Sequence, residues 1–407
     1  MEKKNPGYVY AYGWNRINMQ VIGVWPEIKQ HWIVKNRVWG YASLIMLIIW
    51  IPQAASMAFL RGNLNELIDC LVTNVPVGIS VMKLVVFRLR RQALLAILAL
   101  MAKDWSISRT DDERNAMMKM AKYSRFISIM SVSLANAMLL AFPGFRAWSA
   151  VYERKLITNE TVLAIGFLYP AYFPFDTKEM SSFLPTWFGQ WVATIFSMIA
   201  YSGPDSFVAM MVLHLCGQLA TVRIALVNLV DEESVKDHSI YWTRLSDIVR
   251  RHEELNRYGE LLEGSFNGML LIQMILCTIT FCFQGFVTFT TMIEGMSSAE
   301  DFPVLQMVFF VTHGFYTILH LFVYCWVGDL LVVESTAISR APYECDWFRL
   351  PATHARALMM VTNRSRIPLQ MTAGKFVAFS LELFTSIMKT SMGYLSVLLA
   401  MKDRLID

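Results

Sequence analysis

The sequence predicts an all-α membrane protein with seven transmembrane helices. Its 407 residues are 55% hydrophobic, and the mean hydropathy is +0.42. The apolar residues form stretches long enough to cross a hydrocarbon layer of about 30 Å, whereas a single soluble core would spread them more evenly. We expect membrane spans at residues 39–60, 65–87, 125–147, 187–228, 265–293, 303–333 and 376–401.

The positions of Lys and Arg predict the orientation, because basic residues collect on the cytoplasmic side of a membrane protein. Residues 1–38 and the loops after the second, fourth and sixth spans carry most of these residues, and the remaining loops carry few. An odd number of spans places the two ends of the chain on opposite sides of the membrane. We therefore expect a cytoplasmic N-terminus and an extracellular C-terminus.

This orientation divides the chain into successive regions. They are the cytoplasmic N-terminal segment 1–38, spans one to four with an outer ligand region at 39–230, the cytoplasmic loop 231–264, spans five and six with a cytoplasmic anchor region at 265–375, the last span at 376–401 and the extracellular end 402–407. Asn159 begins a glycosylation sequon in the loop after the third span, which this orientation places outside the cell. Asn159 is therefore the candidate glycosylation site.

Several classes of function find no support in the sequence. It contains no HExxH, GxGxxG or Walker-type motif, so nothing indicates an enzyme. The six cysteines include no CxxC pair and lie mostly in apolar stretches, so we expect neither a disulfide framework nor a metal site. We expect no cofactor. The net charge of +4 follows from the basic loops, and no nucleic-acid partner is needed to explain it.

The last span carries polar residues that a plain lipid anchor would not need. Steps of three and four residues place Glu382, Thr385, Lys389, Gly393 and Val397 on one helical face. Charges at membrane depth are costly and usually face a bundle interior or water. From the residues alone two interpretations stay open. The face packs against neighbouring helices, with glycine allowing close approach, or it faces water.

Aromatic and Met side chains concentrate in the outer halves of several spans. In the sixth span, Phe309, His313, Tyr316 and His320 share one face. A cavity lined by such residues with one or two polar groups would suit a small, mostly apolar ligand. The same spacing also fits ordinary packing or contact with membrane lipid.

Three stretches near the C-terminus resemble the insect odorant receptor family. They are HLFVYCWVGDLLVVES at 320–335, APYECDWFRL at 341–350 and NRSRIPLQMTAGKFVAFSLELFTSIMKTSMGYLSVLLAM at 363–401. Further resemblance lies in PDSFVAMMVLHLCGQLATV at 204–222, LCTITFCFQGF at 276–286 and NRINMQVIGVWP at 15–26. In that family a shared co-receptor, Orco, has a longer loop between the fourth and fifth spans than the ligand-specific tuning receptors. The short loop 231–264 resembles that of a tuning receptor.

The resemblance implies a subunit of an odorant-gated, nonselective cation channel. Such a channel is a heterotetramer with Orco in the plasma membrane of an olfactory sensory neuron dendrite, and its ligand is a small volatile odorant. The odorant would lie among the second, third, fourth and sixth spans, where the candidate contacts are Val72, Pro76, Ala137, Leu140, Ala141, Ile195, Met198, Ile199, Phe309, His313 and Tyr316. The last span would line the pore, with Gly393 on the pore face, the gate at Val397 and Met401 one turn further out. A ring of apolar side chains can close such a pore by excluding water.

Three alternatives belong to other or neighbouring classes. A G-protein-coupled receptor would have an extracellular N-terminus, and the third and seventh spans lack a DRY-like triplet and an NPxxY motif. A membrane carrier predicts internal repeats, and the two halves of the chain show no such pairing. A gustatory-type channel of the same superfamily is a nearer alternative, and the stretches in the last third favour the odorant branch.

Overall fold

The computed structural model describes residues 6–26, 31–59, 64–107, 109–154, 166–297 and 304–406, which form a bundle of long helices. In chain order the elements are α1 (Pro6–Val21), α2 (Trp32–Ile45), a π-helical turn (Met46–Trp50), α3 (Ile51–Phe59), α4 (Leu64–Leu89), α5 (Arg91–Ser106), α6 (Asp111–Arg154), α7 (Met180–Val227), α8 (Glu232–Lys236), α9 (His238–Ser297), α10 (Val304–Ala337), α11 (Ala341–Glu344), a 3-10 turn (Trp347–Arg349), α12 (Ala352–Ser365), β1 (Thr372–Ala373), β2 (Val377–Ala378) and α13 (Leu381–Ile406). The predicted all-helical class is confirmed, apart from the short hairpin of β1 and β2.

Five of the described helical segments are long and apolar enough to cross a membrane. They are Asn36–Phe59, Cys70–Leu89, Met180–Val227, His238–Ile293 and Phe310–Ala337. These segments overlap the first, second, fourth, fifth and sixth predicted spans. The third and seventh predicted spans fall in α6 and α13, and the count of seven stays a prediction.

A π-helical turn joins α2 to α3 without a break. Its physical cause is Pro52, which lacks an amide proton and whose ring would clash with the carbonyl group four residues earlier. In the wider turn the Ile51 amide donates to the Met46 carbonyl oxygen, which makes room for the ring. The first predicted span is therefore one continuous segment with a local widening.

The central helix of the bundle is α7, which packs against α4, α6, α9 and α10. Every residue from 200 to 222 is buried, and a helix that is mostly apolar around its whole circumference is typical of such a position. The outer helices bury only part of their surface. For example, α9 exposes Ile272, Ile275 and Ile279 at helical spacing, as expected for a face that meets lipid.

A short hairpin precedes the last helix, so α13 begins at Leu381 and not at residue 376 as the sequence analysis expected. Gly374 and Lys375 have φ angles of 60° and 65°, which the tight turn between β1 and β2 requires. The Gly374 amide donates to the Asn267 carbonyl oxygen at 2.9 Å, which fixes the hairpin to α9. Ser380 then caps α13, since its hydroxyl oxygen accepts a hydrogen bond from the amide of the third helical residue.

Close packing at Gly328 of α10 gives a first testable prediction. A Cβ atom at this position would lie only 2.6 Å from the Phe379 carbonyl oxygen, just before α13. We expect Gly328→Ala to lower the free energy of unfolding by about 1–3 kcal/mol, because one of the two backbones must move. In Gly268→Ala, the control, the added methyl group meets nothing within 4 Å, so this helical substitution should raise the free energy of unfolding by about 0.5–1 kcal/mol. Unfolding by SDS titration in detergent measures the free energy of unfolding of both variants. Changes of the same sign and size in the two variants would contradict the tight contact at Gly328.

Candidate ligand cavity and the last helix

A cavity lies between α4, α6, α7 and α10, against the segment 166–179 that precedes α7. Its volume is about 70 Å³, compared with roughly 10–15 Å³ that one water molecule needs on the same measure. The lining residues are Thr73, Pro76 and Val77 of α4, Met138 and Leu139 of α6, Leu168 and Tyr169 of the segment, Thr194, Ser197, Met198 and Tyr201 of α7, and His313, Tyr316 and Thr317 of α10. The cavity therefore combines a few polar groups with a mainly apolar wall.

Three hydrogen bonds hold the segment 166–179 against the helices beside the cavity. The amides of Leu168 and Tyr169 donate to the Gln190 Oε1 atom at 3.1 and 3.4 Å, and Gln190 is fully buried. A third bond joins the Tyr172 amide to the Pro52 carbonyl oxygen at 2.9 Å. These bonds hold two lining residues in place although no regular element contains them.

Much of the polar lining is already committed to partners within the protein. The Thr194 hydroxyl donates to the Gln190 carbonyl oxygen at 2.6 Å, and the Thr317 hydroxyl donates to the His313 carbonyl oxygen at 3.1 Å. The His313 Nδ1 atom lies 2.8 Å from the Gln284 Oε1 atom, to which it donates. A ligand in this cavity would therefore meet mostly methyl, methylene, thioether and ring surfaces, which favours a neutral and largely apolar molecule.

Four of the ligand contacts expected from the sequence meet in this lining: Pro76, Met198, His313 and Tyr316. Val72 is buried elsewhere, in an apolar cluster that includes Phe286 and Phe310. Ala137 is exposed, whereas Ile195 and Ile199 are half-buried on α7 outside the lining. The side chains of Leu140, Ala141 and Phe309 lie outside the described part of the chain, as does the candidate glycosylation site Asn159. That any of these residues contacts a ligand stays a prediction.

A buried charged cluster lies beside the cavity, and we call its members Asp205, Lys83, Gln273, His320 and Tyr324 the Asp205 cluster. The Asp205 Oδ1 atom lies 2.6 Å from the Lys83 Nζ atom and accepts a hydrogen bond from the Tyr324 hydroxyl at 2.6 Å. The Oδ2 atom accepts bonds from His320 Nδ1 at 2.9 Å and from Gln273 Nε2 at 3.0 Å. One carboxylate thus joins α4, α7, α9 and α10.

His320 uses both ring nitrogens. Its Nδ1 atom donates to the Asp205 carboxylate, which can only accept, and its Nε2 atom lies 3.2 Å from the Ser131 hydroxyl oxygen of α6. From the sequence alone, His320 lies on an aromatic stripe of the sixth span, and helical spacing gives no sign of the cluster. Lys83 and Asp205 each interrupt an apolar span, and ionisable residues at that depth are a signal that could have identified both.

The last helix, α13, packs on α9 and α10. Ser391 is buried, and its carbonyl oxygen lies 3.8 Å from the Cys282 sulfur. The polar face expected from the sequence is exposed, with Lys389 and Gly393 both on it and Val397 57% exposed. A Cβ atom on Gly393 would meet nothing within 4 Å, so this glycine does not serve close packing with the described residues of the same chain. The side chain of Met401 is outside the described part of the chain.

The fold matches those of solved insect olfactory receptors. The olfactory receptor OR5 from Machilis hrabei in complex with eugenol aligns with a TM-score of 0.78 at 16% sequence identity, over 97% of this chain and 99% of that chain. A second structure of the same receptor gives a TM-score of 0.79 over 96% of this chain and 99% of that chain. At this identity the likeness concerns the fold.

Two curated odorant receptors match almost the whole chain. Odorant receptor 13a from Drosophila melanogaster is 23% identical over 96% of this chain and 97% of its own length, and odorant receptor 22c from the same species is 20% identical over 94% and 95%. The odorant receptor coreceptor of Harpegnathos saltator is 24% identical over only 40% of this chain and 31% of its own length. This is the pattern of a tuning receptor and not of the co-receptor, as the short loop 231–264 indicated.

The model of the 7tm odorant receptor family matches residues 63–392. This range runs from the start of α4 into α13 and includes the whole cavity lining and the whole Asp205 cluster. The family resemblance expected from the sequence is therefore confirmed. The chain belongs to the 7tm odorant receptor family, whose members are receptors and not enzymes.

Proposed function

We propose that the chain is the odorant-binding subunit of a heteromeric, nonselective cation channel formed with the co-receptor Orco as a tetramer. The support is family membership, together with matches both to odorant receptors and to odorant receptor coreceptors. The channel would work in the plasma membrane of an olfactory sensory neuron dendrite. There the tuning subunit supplies ligand recognition, and both kinds of subunit contribute to the pore.

In this proposal the chain crosses the membrane seven times, with a cytoplasmic N-terminus and an extracellular C-terminus. The five long apolar segments supply five crossings, and α6 and α13 supply the third and the seventh. Two observations support the last two assignments. The α6 helix packs along the buried α7, and α13 packs along α9 and α10. All three of these partners are themselves long and apolar enough to cross a membrane.

The cavity carries the proposal for ligand binding. It lies among the second, third, fourth and sixth spans, and its wall is mainly apolar. Pro76, Met198, His313 and Tyr316 are the proposed contacts, and Tyr169 and Tyr201 join them as further ring surfaces. Such a wall recognises a small, neutral volatile by shape and apolar contact, with few hydrogen bonds to fix its orientation.

The exposed face of α13 carries the proposal for the pore. A face with Glu382, Lys389 and Gly393 is costly against lipid, whereas it is compatible with water in a central channel. Val397 and Met401 follow on the side that the proposed topology places toward the cell exterior. Apolar side chains from four subunits at this level would close the pore by excluding water, and a small outward movement would admit hydrated cations.

Whole-cell recording after co-expression with Orco tests the function. Eugenol and a panel of neutral esters, ketones, alcohols and hydrocarbons are the probes, and cells that express each chain alone are the controls. We expect at least one volatile to evoke a cation current in cells with both chains but not in either control. A full panel without current, at measured surface expression of both chains, would contradict the proposal.

Filling the cavity should weaken the response to a volatile. Met198 lies in the lining and is half-buried, so Met198→Trp can direct extra ring volume into the space. We expect the concentration for half-maximal current to rise about ten-fold, which corresponds to a loss of roughly 1.4 kcal/mol in binding. Met292→Trp is the control, because Met292 of α9 is 44% exposed and lies outside the lining. Dose–response curves with equal shifts in the two variants would contradict ligand binding in this cavity.

A further inference from the structure

The position of the Asp205 cluster suggests a role beyond holding four helices together. On one side the cluster contacts the cavity wall. The His320 ring lies 4.5 Å from the Tyr316 ring and 5.2 Å from the Tyr201 ring, measured between centroids, and both tyrosines line the cavity. The Lys83 ammonium group donates to the Tyr201 carbonyl oxygen at 2.7 Å and lies 4.2 Å from the centre of its ring. A ligand that displaces either tyrosine must therefore disturb the cluster.

On its other side the cluster contacts the chain that enters the last helix. The Tyr324 ring lies 5.8 Å from the ring of Phe379, which is 2% exposed and immediately precedes the cap of α13. Gln273 and Tyr324 also line a small internal space together with Phe379. One turn along α10, Gly328 lies against the Phe379 backbone so closely that a methyl group would not fit. A shift of α10 is therefore transmitted to Phe379 and to the start of α13.

The chemistry of the Asp205 cluster is better suited to a change between two bonded arrangements than to holding four helices in one fixed arrangement. Removing Lys83 and Asp205 from water costs free energy, and apolar side chains could hold the helices at a lower cost. Hydrogen bonds to a carboxylate have defined directions, so the helices can exchange one bonded arrangement for another but cannot slide continuously. Coupling between distant sites requires an element with discrete arrangements that both sites bias.

We propose that the Asp205 cluster couples ligand occupancy of the cavity to the position of α13, with Tyr324 as the positioning residue that carries the movement. A ligand against Tyr316 shifts His320, the bonds at Asp205 rearrange, and Tyr324 moves Phe379 and the helix that follows it. This inference rests on the proposed channel function. It assigns to Asp205 and Tyr324 a role in opening and none in contact with the odorant.

Tyr324→Phe tests the coupling, because it removes the hydroxyl that donates to Asp205 and keeps the ring against Phe379. The readout is the ratio of the maximal ligand-evoked current to the ligand-free current, per channel at the cell surface. The ligand is the volatile that gives the largest wild-type current in the panel of eugenol, esters, ketones, alcohols and hydrocarbons. We expect the ratio to fall at least five-fold at an unchanged amount of surface protein.

The matched control is Tyr258→Phe, which removes another buried hydroxyl, in this case one that donates to the Met211 carbonyl oxygen at 3.2 Å between α9 and α7. A purely structural role predicts the same ratio for both variants, and that result would overturn the inference while the channel function stands. If Tyr324→Phe fails to reach the surface, Gln273→Leu, which removes a different donor to Asp205, is measured in its place with the same expectation. A wild-type channel without response to any volatile would contradict the proposed function itself.

Discussion

Replacing Lys83 with Met is expected to lower the free energy of unfolding by about 3–5 kcal/mol, because the Asp205 carboxylate then stays buried without its cationic partner. The two charged atoms are 2.6 Å apart, and the side chains are 0% and 3% exposed. Met keeps most of the length of the side chain, so little of the loss comes from packing. The Tyr201 carbonyl oxygen loses its donor as well. Unfolding of the purified protein by SDS titration in detergent measures the change.

Two further variants separate charge from volume. Lys103→Met changes a side chain that is 58% exposed and whose ammonium group lies 3.9 Å from Glu254, and it should cost about 0–1 kcal/mol. The double variant Lys83→Met and Asp205→Asn removes both buried charges and should recover at least half of the loss. Equal losses in the two single lysine variants would contradict a buried, mutually dependent pair.

Replacing Val397 with Ser is expected to raise the current without ligand about ten-fold in cells that also express Orco. If the Val397 side chains help to exclude water from a closed pore, a hydroxyl group in their place weakens that exclusion by roughly 1.5 kcal/mol, which is about a factor of ten in the equilibrium between closed and open channels. The side chain is 57% exposed, so the substitution disturbs few contacts within the subunit.

Val311→Ser is the control for this prediction. Val311 of α10 is also 57% exposed, so the chemical change and the exposure are matched. Val311 lies on α10 and not on the proposed pore-lining helix, so its ligand-free current should equal that of the wild-type channel. A Val397→Ser channel indistinguishable from Val311→Ser would remove Val397 from the gate.

The exposed face of α13 could be predicted from the sequence because its signal is local. Glu382, Lys389 and Gly393 recur at helical spacing, and charges at membrane depth favour one side of a helix. The stripe of His313 and Tyr316 on α10 was informative for the same reason, and both residues line the cavity. Periodicity in the sequence shows which residues share one face of a helix. It predicts the surroundings of those residues correctly where the whole face meets one kind of environment.

Which other residues line the cavity depends on the neighbouring element that each helical face packs against. Val72 and Pro76 are one turn apart on α4, yet Val72 packs in a cluster with Phe286, whereas Pro76 lines the cavity. Leu168 and Tyr169 come from an irregular segment, whose place is set by the distant side chain of Gln190. Neither outcome follows from spacing along the chain, because both arise from tertiary contacts.

The same distinction applies to the Asp205 cluster. The sequence shows that Lys83 and Asp205 are charged residues within apolar spans, but not that they pair across 122 positions of the chain. Their partners His320 and Tyr324 lie one turn apart on α10 and donate to different oxygens of one carboxylate. Only the packing of α4, α7, α9 and α10 brings these groups together.

Accessibility of a cysteine at position 397 tests most directly whether the free face of α13 lines an aqueous pore. The six native cysteines are all buried, so the background reaction should be low. In Val397→Cys channels formed with Orco, we expect a membrane-impermeant trimethylammonium methanethiosulfonate to reduce the ligand-evoked current, and Val311→Cys channels to be unaffected. An unchanged current in Val397→Cys channels, at the same surface expression and reagent exposure, would contradict the account.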